Sequence, residues 1–371
     1  MNLLYNTLVK CTGIIVEYNP FHNGHRYHIG EARRLTDPDL LIACMSGPFT
    51  QRGDISIIDK YEKTKAALDN GVDLIIELPF IHTVQNAYVF GKQAVSCLDR
   101  MGADTLVFGS ETNNLEELKK YAELEVDVTR LKQLMHDGNS YPKSYGLLSG
   151  SLYPNDMLAV AYLKATKYTD MIPVSIQRTN DFHSKELDLI CSASAIRKAV
   201  QEGRDVSSCT PVAIEEPLFN KDLYPYIRRL LFTMDREELS EIFLVSEGIE
   251  NLLKENAVRY DDYESFMEAS ISRRYTRSRI QRILVHIACH IRKKDVETLP
   301  EADFIRVLGF NEKGRSYLKQ MKDNMNPVTL FKQIPEPYKQ LQWKAELLYA
   351  SYKKDPQNYI RRCLQGPEIK M

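Results

Sequence analysis

Two histidines, His22 and His25, flank Asn23-Gly24 where an apolar run, Gly13-Ile14-Ile15-Val16, gives way to a helix-forming segment, Glu31-Ala32-Arg33-Arg34-Leu35. Side chains of this kind at a strand-to-helix junction can hold phosphate. A helix N-terminus presents unpaired backbone N–H groups and a partial positive charge, and two imidazoles add directional donors that can follow developing charge. Gly24 lets a nucleotide approach the backbone closely. Asn-Gly between apolar runs is also the strongest short hairpin signal, so a two-stranded reading stands beside the first. Ile29, Ala32 and Leu35 recur at helical spacing and favour the helix, although Gly30 inside it costs about 1 kcal/mol relative to alanine.

The elements that must position these residues follow in order. Short apolar runs alternate with helical patterns, as in a parallel sheet with crossover helices. Residues 40–45 read as a second strand, followed by a loop over 46–54 that is too long for a simple connection and is therefore a candidate for function. A helix begins after Asp59 as N-cap and ends near Asn70-Gly71. Residues 72–78 read as a third strand, 87–100 as a helix closed by Gly102, and 105–108 as a fourth strand ending at Gly109. Residues 113–137 are helical in pattern, 138–151 form a loop that could cover the site, and a helix starts near Tyr153. There Asn155 and Asp156 serve as caps or as ligand contacts, and Asp156 is read as the cap. Residues 172–176 make a fifth strand, with Pro173 confined to its start or to an edge, ending at Gln177-Arg178. In an open α/β sheet, ligands lie beyond the carboxyl ends of the strands. His22, the 46–54 loop, Gly109 and Arg178 therefore face one crevice.

The expected fold class is α/β: a Rossmann-like parallel-sheet domain over 1–203, a linker over 204–217, and an all-helical domain over 218–371 with no further strands. Within the last, residues 307–315 read as a small helical turn element. The net charge of -1 over 371 residues conceals a polarity along the chain. Residues 1–205 carry a net -4, residues 206–272 a net -8 and residues 273–371 a net +11. A basic block in a neutral protein points to a polyanionic partner. Its centre is residues 273–294, with eight Lys/Arg and no carboxylate. Ile280, Ile283, Leu284, Ile287 and Ile291 fall on one helical face, with Arg279, Arg282, His286 and Lys293 on the other. A solvated charged face is the ordinary use of such a pattern, but the missing carboxylates and nearby Tyr275 favour RNA phosphate contact by Arg273, Arg274, Arg277, Arg279, Arg282, Lys293 and Lys294.

Seven scattered cysteines with no Cys-x-x-Cys pair indicate neither a disulfide framework nor a zinc ribbon. His286, Cys289 and His290 have the i, i+3, i+4 spacing that could gather ligands on one helical face. They lack the glutamate of the His-Glu-x-x-His hydrolases, and no metal site is assigned. No apolar run approaches the length of a membrane span, and the first ten residues lack the features of a signal peptide. A cytoplasmic location is expected.

The residues also carry a resemblance. His22-Asn23-Gly24-His25 matches the His-x-Gly-His signature of the nucleotidyltransferase superfamily, which includes the class I aminoacyl-tRNA synthetases. The longer string Glu17-Tyr18-Asn19-Pro20-Phe21-His22-Asn23-Gly24-His25 resembles the bacterial tRNA(Met) cytidine acetate ligase family rather than the cofactor adenylyltransferases, which carry a Phe-Asp-Pro variant. Cys191-Ser192-Ala193-Ser194-Ala195-Ile196-Arg197-Lys198 resembles the second signature of the superfamily, Ser-x-Ser/Thr-x-Ile-Arg at a helix start. The resemblance implies that the hydroxyls of Ser192 and Ser194 and nearby amides hold the β- and γ-phosphates while Arg197 stabilises pyrophosphate. Simple N-capping is the commoner use of such serines. The lysine-rich second motif of the synthetases is not present, which argues against a true synthetase.

The resemblance implies ATP, accompanied by Mg2+, with His22 and His25 on its phosphates. Ile15, Val16, Glu17, Tyr18, Asn19, Pro20, Phe21, Asn23, Gly24 and His28 would surround it, and Gly109, Asn155 and Arg178 would add further contacts. It also implies acetate as the attacking anion, acetyl-adenylate as the intermediate and the wobble cytidine of elongator tRNA(Met) as acceptor, with no DNA and no membrane. Two other readings stay open: a small-molecule adenylyltransferase, which leaves the basic block unexplained, and an RNA-binding protein with a retired nucleotide site.

Overall fold

The computed structural model describes residues 9–125, 127–150, 152–178, 191–321 and 325–371. Residues 1–8, which carry most of the N-terminal signal-peptide reading, lie outside them. Strand β1 (Cys11–Val16) is flanked by β2 (Leu40–Ser46) and β4 (Thr105–Ser110), with β3 (Leu74–Leu78) outside β2 and β5 (Ile172–Gln177) outside β4. These five strands are parallel. Every residue of β2 and β3 is buried, because helices cover both faces and solvent-facing alternation is lost. The strand order reverses between β1 and β4, which opens a crevice beyond their carboxyl ends. Asp59 caps the helix Lys60–Asp69 through the N–H groups of Tyr61 and Glu62.

Three corrections concern the elements. Residues 305–310, expected within a helical domain, form strand β6 (Ile305–Phe310), antiparallel to β3, and short strands β7 (Pro327–Val328) and β8 (Glu368–Ile369) pair with it. The segment after residue 217 is therefore not all-helical. A charged residue hides the strand pattern. Arg306 is buried and reaches Glu77 of β3 at 3.1 Å, while Glu77 also binds Lys60 at 2.8 Å and Lys60 binds Glu346 at 2.5 Å. This buried network ties the helix Glu336–Ala350 to the sheet, and removal of one partner from such a network typically costs about 3–5 kcal/mol.

The second correction is that much of the expected loop over 138–151 is a helix, Tyr141–Ser149, while Ser151 lies outside the described residues. The N–H of Ser140, just before it, donates to the carbonyl of Arg273 at 2.7 Å, so this insertion touches the basic segment. The third is that the basic helix spans only Arg277–Ala288, and Lys293 begins a separate short helix, Lys293–Glu297. Phe49, Ile55, Phe80 and Val84, from the connections that follow β2 and β3, share one apolar core with this basic helix and its neighbours. No helix among the described residues is long and apolar enough to cross a membrane.

Candidate active site

At the end of β1 the chain turns through Tyr18, which has φ 50°, and enters the helix Asn23–Thr36 with His22 as its N-cap. The Nδ1 of His22 accepts from the N–H of Gly24 at 3.1 Å, and the Nδ1 of His25 accepts from the N–H of His22 at 3.2 Å. These bonds close a capping box built from imidazoles. They also fix the tautomers: with both Nδ1 lone pairs occupied, each neutral ring carries its proton on Nε2. Burial first, then the charges of Arg178 and Arg197, bring the His22 pKa down to about 3. Burial and the neighbouring His22, His28 and Arg178 hold His25 well below its usual range, and burial brings His28 to about 4. All three are neutral near pH 7. The first turn thus offers two neutral Nε2–H donors at the positive end of the helix.

Ser192 caps the helix Ala193–Gln201 through the N–H of Ala195 at 3.2 Å, and its Oγ lies 3.0 Å from that of Ser194. Capping and ligand contact are compatible here, since both hydroxyls line the same cavity as the histidines. Arg197 donates to the carbonyl of Asn19 at 2.8 Å and stands 3.9 Å from Asp54. Arg178, at the end of β5, has a buried Nε with no partner among the described residues, and its N–H donates to Ser110 on β4. Glu111 offsets part of its charge, but a guanidinium with an unpartnered Nε, facing three histidines whose protonation it suppresses, still favours an anion between them.

The cavity holds about 270 Å³ and brings together Ile15, Val16, Glu17, Tyr18, Asn19, His22, Gly24, His25, His28, Gly109, Asn155, Arg178, Ser192, Ser194 and Arg197. Pro20, Phe21 and Asn23 do not line it. Pro20 and Phe21 are buried behind the turn, and Asn23 bonds the carbonyls of Ser208 and Cys209. The cap reading of Asp156 needs correction. Its carboxylate accepts from the Ser110 hydroxyl at 2.5 Å and the N–H of Glu111 at 3.0 Å, which stabilises the turn after β4. In return the Glu111 carboxylate accepts from the N–H groups of Asn155 and Asp156, so Glu111 caps the helix Pro154–Thr166.

The 46–54 loop, expected at the crevice from its length, forms one wall of the cavity through Thr50, Gln51, Arg52 and Asp54, none of which type or spacing singles out. Gly53 has φ 83°, and a Cβ there would meet the Arg282 backbone nitrogen at 2.6 Å. Only glycine allows this loop to rest on the basic helix. Asp54 accepts from Gln281 of that helix at 2.9 Å and from Asn220 at 3.1 Å. The linkage joins the cavity directly to the basic segment.

Along that segment the arginines differ in their surroundings. Arg273 is exposed, Arg277 pairs with Glu264 at 2.6 Å, and Arg279 pairs with Glu247 at 3.1 Å while lying over the Tyr275 ring. The acidic 206–272 region thus neutralises part of the basic block. Arg282 has a buried Nε without a partner among the described residues, and burial, then Arg279 and Arg52, lower its pKa to about 10. His286 does not share a solvent face with these arginines. It is fully buried between Phe80 and Phe243, its Nε2 3.0 Å from the Val84 carbonyl. No group of three His, Cys, Asp or Glu among the described residues is placed to hold a metal ion. Cys191 and Cys209 are joined as a disulfide, against the expectation of unpaired cysteines, because the linker folds back beside the Ser192 helix. The other five cysteines are buried and free.

This layout, a doubly wound sheet with imidazole donors at its first crossover and a serine-arginine helix start opposite, is that of a nucleotidyltransferase of the His-x-Gly-His class. The family model HIGH Nucleotidyl Transferase matches residues 9–362. The chain is 36% identical over 388 residues to the tRNA(Met) cytidine acetate ligase of Anoxybacillus flavithermus, covering 94% of this chain and 96% of that one. It is 34% identical to the enzyme of the same name from Oceanobacillus iheyensis, covering 96% and 99%. The crystal structure of apo Thermotoga maritima TmcAL superposes with a TM-score of 0.87 at 27% identity, covering 97% of this chain and 99% of that one. The TmcAL structure bound with alpha-thio ATP gives 0.86 at 28% identity, with the same coverage. The chain belongs to the tRNA(Met) cytidine acetate ligase family of HIGH nucleotidyltransferases.

Proposed function

We propose that the protein condenses acetate with ATP to give acetyl-adenylate and pyrophosphate, then transfers the acetyl group to the exocyclic amine of the wobble cytidine of elongator tRNA(Met), releasing AMP. The observation that carries this reading is the convergence of two phosphate-binding helix starts on one cavity, whose third wall is bonded to the basic helix.

In the first step an acetate oxygen attacks the α-phosphorus and the bond to pyrophosphate breaks. Acetate is already an anion, so no general base is required, and catalysis rests on positioning and charge stabilisation. The Nε2–H groups of His22 and His25 donate to the phosphate oxygens as negative charge moves onto them. Ser192, Ser194 and Arg197 receive the departing pyrophosphate, while Gly109, Asn155 and Arg178 hold the nucleoside end. Mg2+ accompanying the triphosphate would supply further neutralisation of its negative charge. Neutral imidazoles suit this task, because they stabilise the extra charge of the transition state without first binding a proton. The RNA lies along Arg273, Arg274, Arg277, Arg279 and Arg282, with Lys293 and Lys294 beyond the helix end. Its partner is RNA, not DNA, and the enzyme works in the cytoplasm beside its tRNA.

The test supplies labelled acetate, ATP and tRNA(Met). Label in the wobble cytidine and stoichiometric AMP are expected. Transfer of adenylate to a small molecule, with no acetylated RNA, would overturn the reading.

A further inference from the structure

The second half of the proposed reaction needs a group that the first does not. Cytidine N4 must lose a proton as it becomes an amide, so a base has to lie where the RNA enters. In that reading Gly109, Asn155 and Arg178 hold the nucleoside end and Ser192, Ser194 and Arg197 the pyrophosphate end, leaving the wall of Glu17 and the 50–54 loop, which adjoins the basic helix through Gly53 and Asp54. We propose that Glu17 is the general base that removes the proton from cytidine N4 during acetyl transfer, an inference that rests on the ligase reading above.

The placement of Glu17 is built rather than incidental. Its Oε1 accepts from the N–H of Gln51 at 2.6 Å. Its own carbonyl accepts from Lys63 Nζ at 3.0 Å, and the same nitrogen also binds the carbonyls of Ser46 and Gly47 at 2.9 Å each. Three carbonyls around the Lys63 amine, whose pKa burial brings down to about 7, fix the end of β1 relative to the end of β2, and with it the direction of the carboxylate. Arg52, Asp54 and Lys63 are the charged groups that face Glu17, and the Tyr162 hydroxyl lies within its field. Burial nevertheless outweighs these and pushes the carboxyl above its usual range, which makes a stronger base near neutrality.

Of the other imidazoles and carboxylates lining the cavity, only His28 keeps a buried ring nitrogen, Nε2, without a partner among the described residues, and it lies at the nucleoside end, away from the basic helix. His22 and His25 have both Nδ1 lone pairs occupied by backbone N–H groups. Asp54 accepts from Asn220 and Gln281 and faces Arg197. His28 is held at the Val107 carbonyl beside β4, at the nucleoside end.

In the step itself the N4 lone pair forms a bond to the acetyl carbonyl carbon, and the bond from that carbon to the phosphate oxygen breaks. AMP leaves with that electron pair, and the N4 proton passes to the Glu17 carboxylate and then to water. The two half-reactions can be measured apart. The first is acetate-dependent exchange of pyrophosphate into ATP without tRNA; the second is single-turnover transfer from preformed acetyl-adenylate to tRNA(Met) as a function of pH. Glu17→Gln keeps an oxygen for the Gln51 N–H. It is expected to slow transfer by about 100-fold or more, to abolish the rise of transfer rate with pH, and to reduce exchange far less; Glu17→Asp should restore part of the transfer with its pH dependence. Equal loss of both half-reactions in Glu17→Gln, or transfer with an unchanged pH profile, overturns the inference. Wild-type protein that exchanges no pyrophosphate with acetate overturns the ligase reading, and this inference with it.

Discussion

Two walls of the same cavity handle charge in opposite ways. The wall of His22, His25, Ser192 and Ser194 presents neutral donors held by their own helix starts, and its formal charges, Arg178 and Arg197, stand at the ends. The wall of Glu17, Arg52 and Asp54 is made of ionisable groups, held by a loop that rests on another part of the chain. Fixed dipoles need no rearrangement when phosphate charge develops, which suits the adenylation step. Ionisable groups are harder to keep buried, and they are placed where a proton moves and a polyanion arrives. Phosphate chemistry and RNA chemistry are therefore separable by mutation.

The largest effect expected from breaking the first wall is that of His25→Ala. Loss of one Nε2 donor, and of the acceptor for the His22 N–H, should lower exchange by about 100-fold or more, while tRNA affinity measured by filter binding stays within about twofold. A combined loss would mean that the walls are not separate. On the second side, Arg279→Ala with Arg282→Ala should weaken tRNA binding and reduce the slope of log affinity against log salt by about 1 to 2, leaving exchange nearly intact. An unchanged slope would make Arg279 a structural partner of Glu247 only and leave the Arg282 side chain with no part in RNA binding. Smaller still is Gln281→Ala, which removes the 2.9 Å bond to Asp54. Acetyl transfer should fall a few-fold, with exchange less affected.

The smallest effect is a pH dependence of stability. His22, His28 and His286 have folded pKa values of about 3, 4 and 4, below the ordinary 6.5, chiefly through burial. The unfolded chain therefore binds protons first. Their stabilisation is complete above pH 6.5 and is lost progressively as pH falls towards 4 and 3. Thermal melts from pH 7.5 to 4.5 should show this decline. Bound ATP favours protonated His22 and His28, so it should flatten the decline, whereas His286, remote from the nucleotide, should keep its share.

What could be read from the sequence was local. The helix start at His22 to His25 and the buried runs of β1 to β4 are settled within a few residues, so both were evident, whereas the imidazole capping was not. Long-range compensation was not. Strand β6 was concealed because Arg306 is neutralised by Glu77, more than two hundred positions away. Asp156 and Glu111 exchange capping roles across 45 residues, so neither shows its partner in a short window. His286 falls among arginines on a helical wheel, yet Val84 and two aromatic rings from other segments bury it. The Gln51-Arg52 wall depends on a left-handed glycine whose reason lies on the basic helix.

The central claim is that this cavity activates a carboxylate with ATP. The most direct measurement is exchange of labelled pyrophosphate into ATP by the wild-type chain without tRNA, across a panel of small carboxylates. Exchange that depends on acetate, falls with larger acids and is lost in His25→Ala is the expected result. No exchange with any carboxylate would contradict the account.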